Sequence, residues 1–254
     1  MIKLFRKIRQ NLLSEGKTGK YLKYAIGEII LVVIGILIAL QINDWNENRI
    51  NRKQEHQILL QLKSEYTENL KELDNKITMR NNMIDASYRI FSVKEGLNEN
   101  VPVDSIALDL ITINSTPTFD PVTGTTNEVL SSGKLYLLTN DMLKTLMTNW
   151  SGQVNRLTEY EQDLRNYSIN HFYPYLTKNH NIKLLFNGLW WIDKFNFKNK
   201  DKRIAVTKII EDDDIDDYIL TITEQCGITN NEAVHVRNNI ESILQLINAD
   251  LDKK

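Results

Sequence analysis

Three groupings in this chain have residue types and spacing that could do chemistry. Ser131-Ser132-Gly133-Lys134 reads S-x-x-K, the spacing at which a lysine activates a serine nucleophile. In serine acyl-enzymes that motif opens a helix. Here it falls where a helix closes, with Gly133 as the stop, and no S-D-N or K-T-G partner appears. Asp212, Asp214 and Asp216 stand at the spacing of the first calcium ligands of an EF-hand. That loop needs glycine at its sixth position and glutamate at its twelfth, and this chain has Asp217 and Thr223 there. His56, His171, His180 and His235 lack metal-ligand spacing. There is no phosphate-binding loop and no dinucleotide fingerprint. The expectation is a protein that is not an enzyme, with no metal and no cofactor; a hydrolase is the least favoured reading.

Two charges stand on otherwise apolar helix faces. Arg80 falls on the stripe Leu59, Leu62, Tyr66, Leu70, Leu73, Ile77, Ile84 and Phe91, and Glu161 falls on a second stripe carrying Leu143, Trp150, Leu157 and Leu164 in sevens. Arg80 is expected to snorkel or to pair with an acid, and Glu161 is a candidate partner for it. The second helix, 141–178, is expected to pack antiparallel on the first and to kink or end at Pro174.

Local signals place the remaining elements. Gly96 ends the first long helix, and Asp104 is expected to cap a short one. Pro117, Pro121 and Gly124 fix a loop in which Phe119, Asp120 and Pro121 form a candidate contact surface. Phe119 equally suits a staple packed into the core. Thr125 and Glu128 match a capping box, Gly133 a left-handed stop, and Asn140 or Asp141 the next cap. The acidic run 211–217 is expected to cap a helix through Gln225. A second box, Thr229 and Glu232, then starts a last helix with Ala233, Val236, Ile240, Ile243, Ile247 and Leu251. The aromatic-dense residues 180–210 are expected to cover the bundle end, with a ligand cage as the alternative.

The stretch that organises the rest is Ala25 to Ile42, apolar without interruption from Ile29 to Leu40. Helical, Tyr24 to Trp45 covers about 31 Å, close to the thickness of a hydrocarbon core. Tyr21, Tyr24 and Trp45 suit the headgroup level. Lys3, Arg6, Lys7, Arg9, Lys17, Lys20 and Lys23 precede it against one acid, Glu15. The basic excess predicts a cytoplasmic segment 1–24, a span 25–42, and a periplasmic domain 43–254 at the inner membrane. Glu28, Gly35 and Ala39 share a face of the span that could pack another helix.

Charged residues make up 25% of the 254, and the net charge of -2 excludes a general polyanion binder, so no nucleic-acid partner is expected. The single cysteine, Cys226, excludes an internal disulfide. About 210 residues beyond the span suffice for one domain with a core.

Two stretches, MIKLFRKIRQ through KYLKYAIGEIILVVIGILIALQINDWNENR and TFDPVTGTTNEVLSSGKLYLLTN followed by Trp150, resemble a domain-of-unknown-function family of uncharacterised single-pass membrane proteins of the Bacteroidota. The resemblance covers about a third of the chain. It implies an inner-membrane anchor and an α-helical outer domain, and no activity. Where the family tends to Leu-Asn-Asp, this chain has Thr126-Asn127-Glu128. The fold expected is all-α: one N-terminal transmembrane helix, a long helix, and an antiparallel helical bundle outside the membrane. The expected partners are the lipid bilayer and a membrane or periplasmic protein, a second copy included. The expected role is a membrane-anchored sensing or protein-interaction module, with an accessory subunit of an envelope complex as the alternative.

Overall fold

The computed structural model describes residues 18–97, 100–186 and 202–253. The expectations for the basic segment 1–17 and for the aromatic stretch 187–201 lie outside these residues. Every regular element among the described residues is helical. In chain order they are α1 (Thr18–Lys94), α2 (Val103–Thr112), α3 (Gly124–Ser131), a 3-10 turn (Lys134–Leu137), α4 (Asp141–Tyr167), a π-helical turn (Ser168–Phe172), α5 (Tyr173–Asn179), a 3-10 turn (Ile182–Leu184), α6 (Lys202–Ile210) and α7 (Asp214–Leu251).

The chain divides into two units, Met1–Gln57 and Ile58–Lys254. In the first, the described residues are helical, and the apolar residues from Ile29 to Leu40 are all exposed. Among the described residues, α1 is the one helix long and apolar enough to cross a membrane. No glycine or proline interrupts it between Gly35 and Gly96, and the asparagine-rich stretch 43–51 stays helical despite its weak propensity.

α1 stops in a Schellman motif. Gly96 takes φ +69°, its N–H donates to the Val93 carbonyl at 3.1 Å, and the Leu97 N–H donates to Ser92 at 2.8 Å. Gly133, at φ +74°, stops α3 in the same left-handed conformation. Asn140 caps α4 by accepting from the Met142 and Leu143 N–H groups.

In the second unit α7 runs antiparallel to both α1 and α4. Asp74, Arg80 and Met83 meet Arg237, Asn230 and Cys226 in descending order, and Gln153 and Arg156 meet Asn239 and Glu232 likewise. α4, however, runs parallel to α1, which corrects the antiparallel expectation for that pair. Tyr66 meets Trp150 edge-on with ring centroids 5.3 Å apart, and Arg80 meets Glu161 fourteen residues later on α1. The cause is the connection. Asp109 of α2 pairs with Arg89 at 2.6 Å, Val122 with Asn69, and Thr126 with Glu65. Residues 103–126 therefore walk back along α1, and α4 restarts at the same end.

Three local expectations are corrected. Asp104 lies inside the first turn of α2 and pairs with Lys202 instead of capping. Thr125 and Glu128 form no box: α3 begins at Gly124, and the Thr125 and Thr126 N–H groups go to the Glu65 carboxylate of α1. α7 does not break after Gln225. Thr229 is buried within it and its hydroxyl donates back to the Gln225 carbonyl at 2.7 Å. Pro174 does not end its helix: the π-helical turn Ser168–Phe172 precedes it and α5 continues to Asn179.

Candidate functional site

The buried residues form two apolar clusters. One gathers Leu59, Leu62, Tyr66 and Leu73 of α1 with Leu143 to Leu157 of α4 and Ala233 to Ile247 of α7. The other gathers Met83 to Ile90, Leu164 to Leu185 and Ile215 to Cys226. Between them lies a polar layer. Arg80 is 0% exposed and Glu161 2%, and the Arg80 Nη1–Glu161 Oε1 distance is 2.9 Å. Arg80 therefore pairs with the candidate acid and does not snorkel. Arg80 Nε also donates to Asn230 Oδ1 at 2.7 Å, and the Asn230 amide donates to Asn81 at 2.8 Å. Arg80 Nη2 is buried without a hydrogen-bond partner.

Burial governs this layer's electrostatics. It pushes the Glu161 carboxyl up and the Arg80 guanidinium down, and their mutual attraction offsets this in part. Burial pushes the Cys226 thiol up to about 12, so it stays protonated and behaves as a small apolar group.

The layer also holds a loop. Glu161 Oε2 accepts from the Phe119 N–H at 2.9 Å, and Arg80 Nη1 donates to the Pro117 carbonyl at 3.4 Å. Further along α1, Asn69 donates to the Val122 carbonyl and accepts from the Val122 N–H, both at 2.8 Å. Glu72 accepts from the Asp120 N–H at 3.4 Å. Glu65 takes the first N–H groups of α3, and its Oε1 also accepts from the Thr126 hydroxyl at 2.6 Å. A carboxylate at a helix N-terminus is electrostatically favoured.

Phe119 is 3% exposed and packs in the first cluster. Phe119 thus faces the core, where an aromatic ring gains more than it does in water. Asp120 is exposed and Pro121 half-buried. On the apolar part of α1, Gly35 and Ala39 are exposed and Glu28 is half-buried.

Ser131 and Lys134 do not meet as nucleophile and base. The Ser131 hydroxyl donates to the Asn127 carbonyl and Lys134 pairs with Glu128. Among the described residues no group of three or more His, Cys, Asp or Glu could hold a metal.

One polar cluster was not foreseen. Asp212 Oδ2 accepts from the Tyr175 hydroxyl and lies 2.7 Å from His180 Nε2. Lys94, at the end of α1, donates to the Asp212 carbonyl at 2.9 Å and to Asp216 at 2.8 Å. Tyr175 stacks on Tyr218 of α7 at 4.5 Å. Burial opposes ionisation of Asp212, but hydrogen bonds from Tyr175, His180 and the Asp214 N–H hold its carboxyl below the usual range. The cluster ties α5, α7 and the end of α1 together. Lys94, Tyr175, His180 and Asp212 lie too far apart in sequence for any spacing to announce it.

Fold and site define an all-α protein with one apolar helix suited to a bilayer and a bundle whose buried charges serve its own packing. The chain belongs to the family of unknown function DUF6090, whose profile matches residues 28–223. No curated protein and no solved structure matches it.

Proposed function

We propose that the protein is a membrane-anchored interaction or sensing module, spanning the inner membrane once over residues 25–42, with its N-terminus in the cytoplasm and its bundle in the periplasm. The observation that carries this reading is the uninterrupted exposed apolar surface from Ile29 to Leu40, in a chain whose other long apolar stripes are buried. A bilayer is the solvent that such a surface matches. The seven basic residues before Ala25 support the orientation.

Binding rather than catalysis is favoured because the buried charges are engaged with one another and with main-chain groups. An accessory subunit of an envelope complex is the second reading. The shared face of Glu28, Gly35 and Ala39 favours it, because small residues four apart let a neighbouring helix approach closely.

A phosphatase fused after Lys254 tests the first reading: activity outside the cytoplasm is expected, and activity only of a cytoplasmic reporter at that site overturns it. Gly35→Leu tests the second. Reduced association in a membrane two-hybrid assay is expected, and unchanged association removes that face from consideration.

A further inference from the structure

The loop at the polar layer is held in an unusual way. In residues 117–126, the Pro117 carbonyl, the Phe119 N–H, the Asp120 N–H, both main-chain groups of Val122 and the N–H groups of Thr125 and Thr126 all bond to side chains of α1 or α4. Those side chains are Glu65, Asn69, Glu72, Arg80 and Glu161, and all but Glu72 are buried. The side chains of Asp120 and Val122 contribute little: both positions are exposed. Only Pro117, Phe119 and Thr126 turn fully inward.

The face of α1 and α4 thus reads main-chain polarity at six positions plus one aromatic. That is how an extended peptide is recognised when affinity comes from its backbone and selectivity from one pocket. We propose that this face is a peptide-binding groove that residues 117–126 fill in cis, and that the same segment of a second copy fills it in trans. Exchange makes identical bonds, so it costs little beyond association itself. The segment runs on into α3, and the exchanged piece is bounded by irregular chain at 114–116 and by the turn at Ser132 and Gly133 after α3, which gives it two hinges. The inference concerns the second unit alone and holds whichever side of a membrane that unit occupies.

The test uses the full chain in detergent micelles and a labelled synthetic peptide of residues 115–129. Phe119→Ala weakens the cis segment and opens the groove. The peptide is expected to bind this variant measurably by fluorescence anisotropy. A scrambled peptide is expected not to bind, and a peptide N-methylated at Val122 to bind about tenfold more weakly, since it cannot donate to Asn69. Equal binding of the methylated peptide overturns main-chain recognition, and binding of the scrambled one overturns selectivity. If Phe119→Ala does not fold, the unaltered chain decides by hydrogen exchange. The Phe119, Val122, Thr125 and Thr126 amides are then expected to exchange together, and ahead of the α4 core amides. Exchange of these amides only with global unfolding means that the segment is never released, and ends the proposal. Differently tagged full-length copies, incubated together, are expected to co-purify more than with Asn69→Ala in both; equal recovery overturns exchange in trans.

Discussion

Removing one member of the Arg80–Glu161 pair is expected to have unequal consequences for the two partners. Both side chains lie within the core, 0% and 2% exposed. Glu161→Leu strands a guanidinium that cannot lose its proton, and stranding a buried charge costs about 3–5 kcal/mol. The Phe119 N–H also loses its acceptor, for about 1–2 kcal/mol more. Against a typical stability of about 5–15 kcal/mol, this removes about a quarter or more. Arg80→Met strands a carboxylate instead, and a carboxylate can take a proton. Burial already pushes the Glu161 carboxyl up. For an acid with a raised folded pKa, stability is highest below its unfolded value, falls as pH rises towards its folded value, and is flat above it. Protonation therefore caps the ionisation penalty in Arg80→Met at about 4 kcal/mol at pH 7 and about 1 kcal/mol at pH 5. Glu161→Leu gains no such relief. The double variant Arg80→Met/Glu161→Leu makes the layer apolar and is expected to lie within about 1 kcal/mol of the natural protein, or above it. Urea unfolding of the detergent-solubilised chain, followed by circular dichroism from pH 5 to 8, reads all three. Equal losses for both single variants at every pH, with an additive double, would refute the reasoning.

Four further outcomes are expected. Phe119→Ala should lower stability by about 3–5 kcal/mol in the same urea assay, because it empties a position inside the first cluster. Asn69→Ala should cost about 2–3 kcal/mol and speed hydrogen exchange at Val122, whose two main-chain groups lose their partner. The lowered Asp212 carboxyl contributes stability that is present above the unfolded carboxylate value of about 3.9 and lost as pH falls through the folded one. Asp212→Asn should therefore be less stable at pH 7 and converge on the natural protein in strong acid, as followed by thermal melting. Gly133→Ala should cost about 1 kcal/mol, because φ +74° is strained for any residue with a Cβ; an unchanged melting temperature would argue against that strain.

The faces of the long helices were legible because periodicity reports which side of a helix is buried. Leu143, Trp150, Leu157 and Leu164 pack as their spacing implies, and of the two readings open for Arg80, snorkelling or pairing with an acid, it pairs with the candidate Glu161. Caps made by the chain's own neighbours were legible too: Asn140, Gly96 and Gly133. What periodicity does not carry is direction. The parallel course of α1 and α4 depends on residues 115–123, which have no regular structure and hold their place through side chains tens of residues away. Long-range partners likewise displaced the local box at Thr125, since the Glu65 carboxylate takes the N–H groups that a Thr-x-x-Glu pattern would serve. The break expected near Gln225 had a visible counter-signal. Ile222, Cys226, Thr229 and Ala233 follow one another at intervals of four, three and four without a change of phase, the signature of a single helix.

The first cluster has a consequence for the order in which the chain can mature. It joins Ile58 to Tyr66, near the start of the second unit, to Ile240 to Ile247, near the chain's end. A growing polypeptide emerges over many seconds, from its N-terminus. Throughout that time the apolar stripes of α1 and α4 lack the helix that covers them, so closure waits for the last turns of α7. Such widely separated contacts slow the final step and lengthen the exposure of unburied surface. A nascent chain halted before Ile240 is therefore a natural client for chaperones, and its stripes are where they would bind.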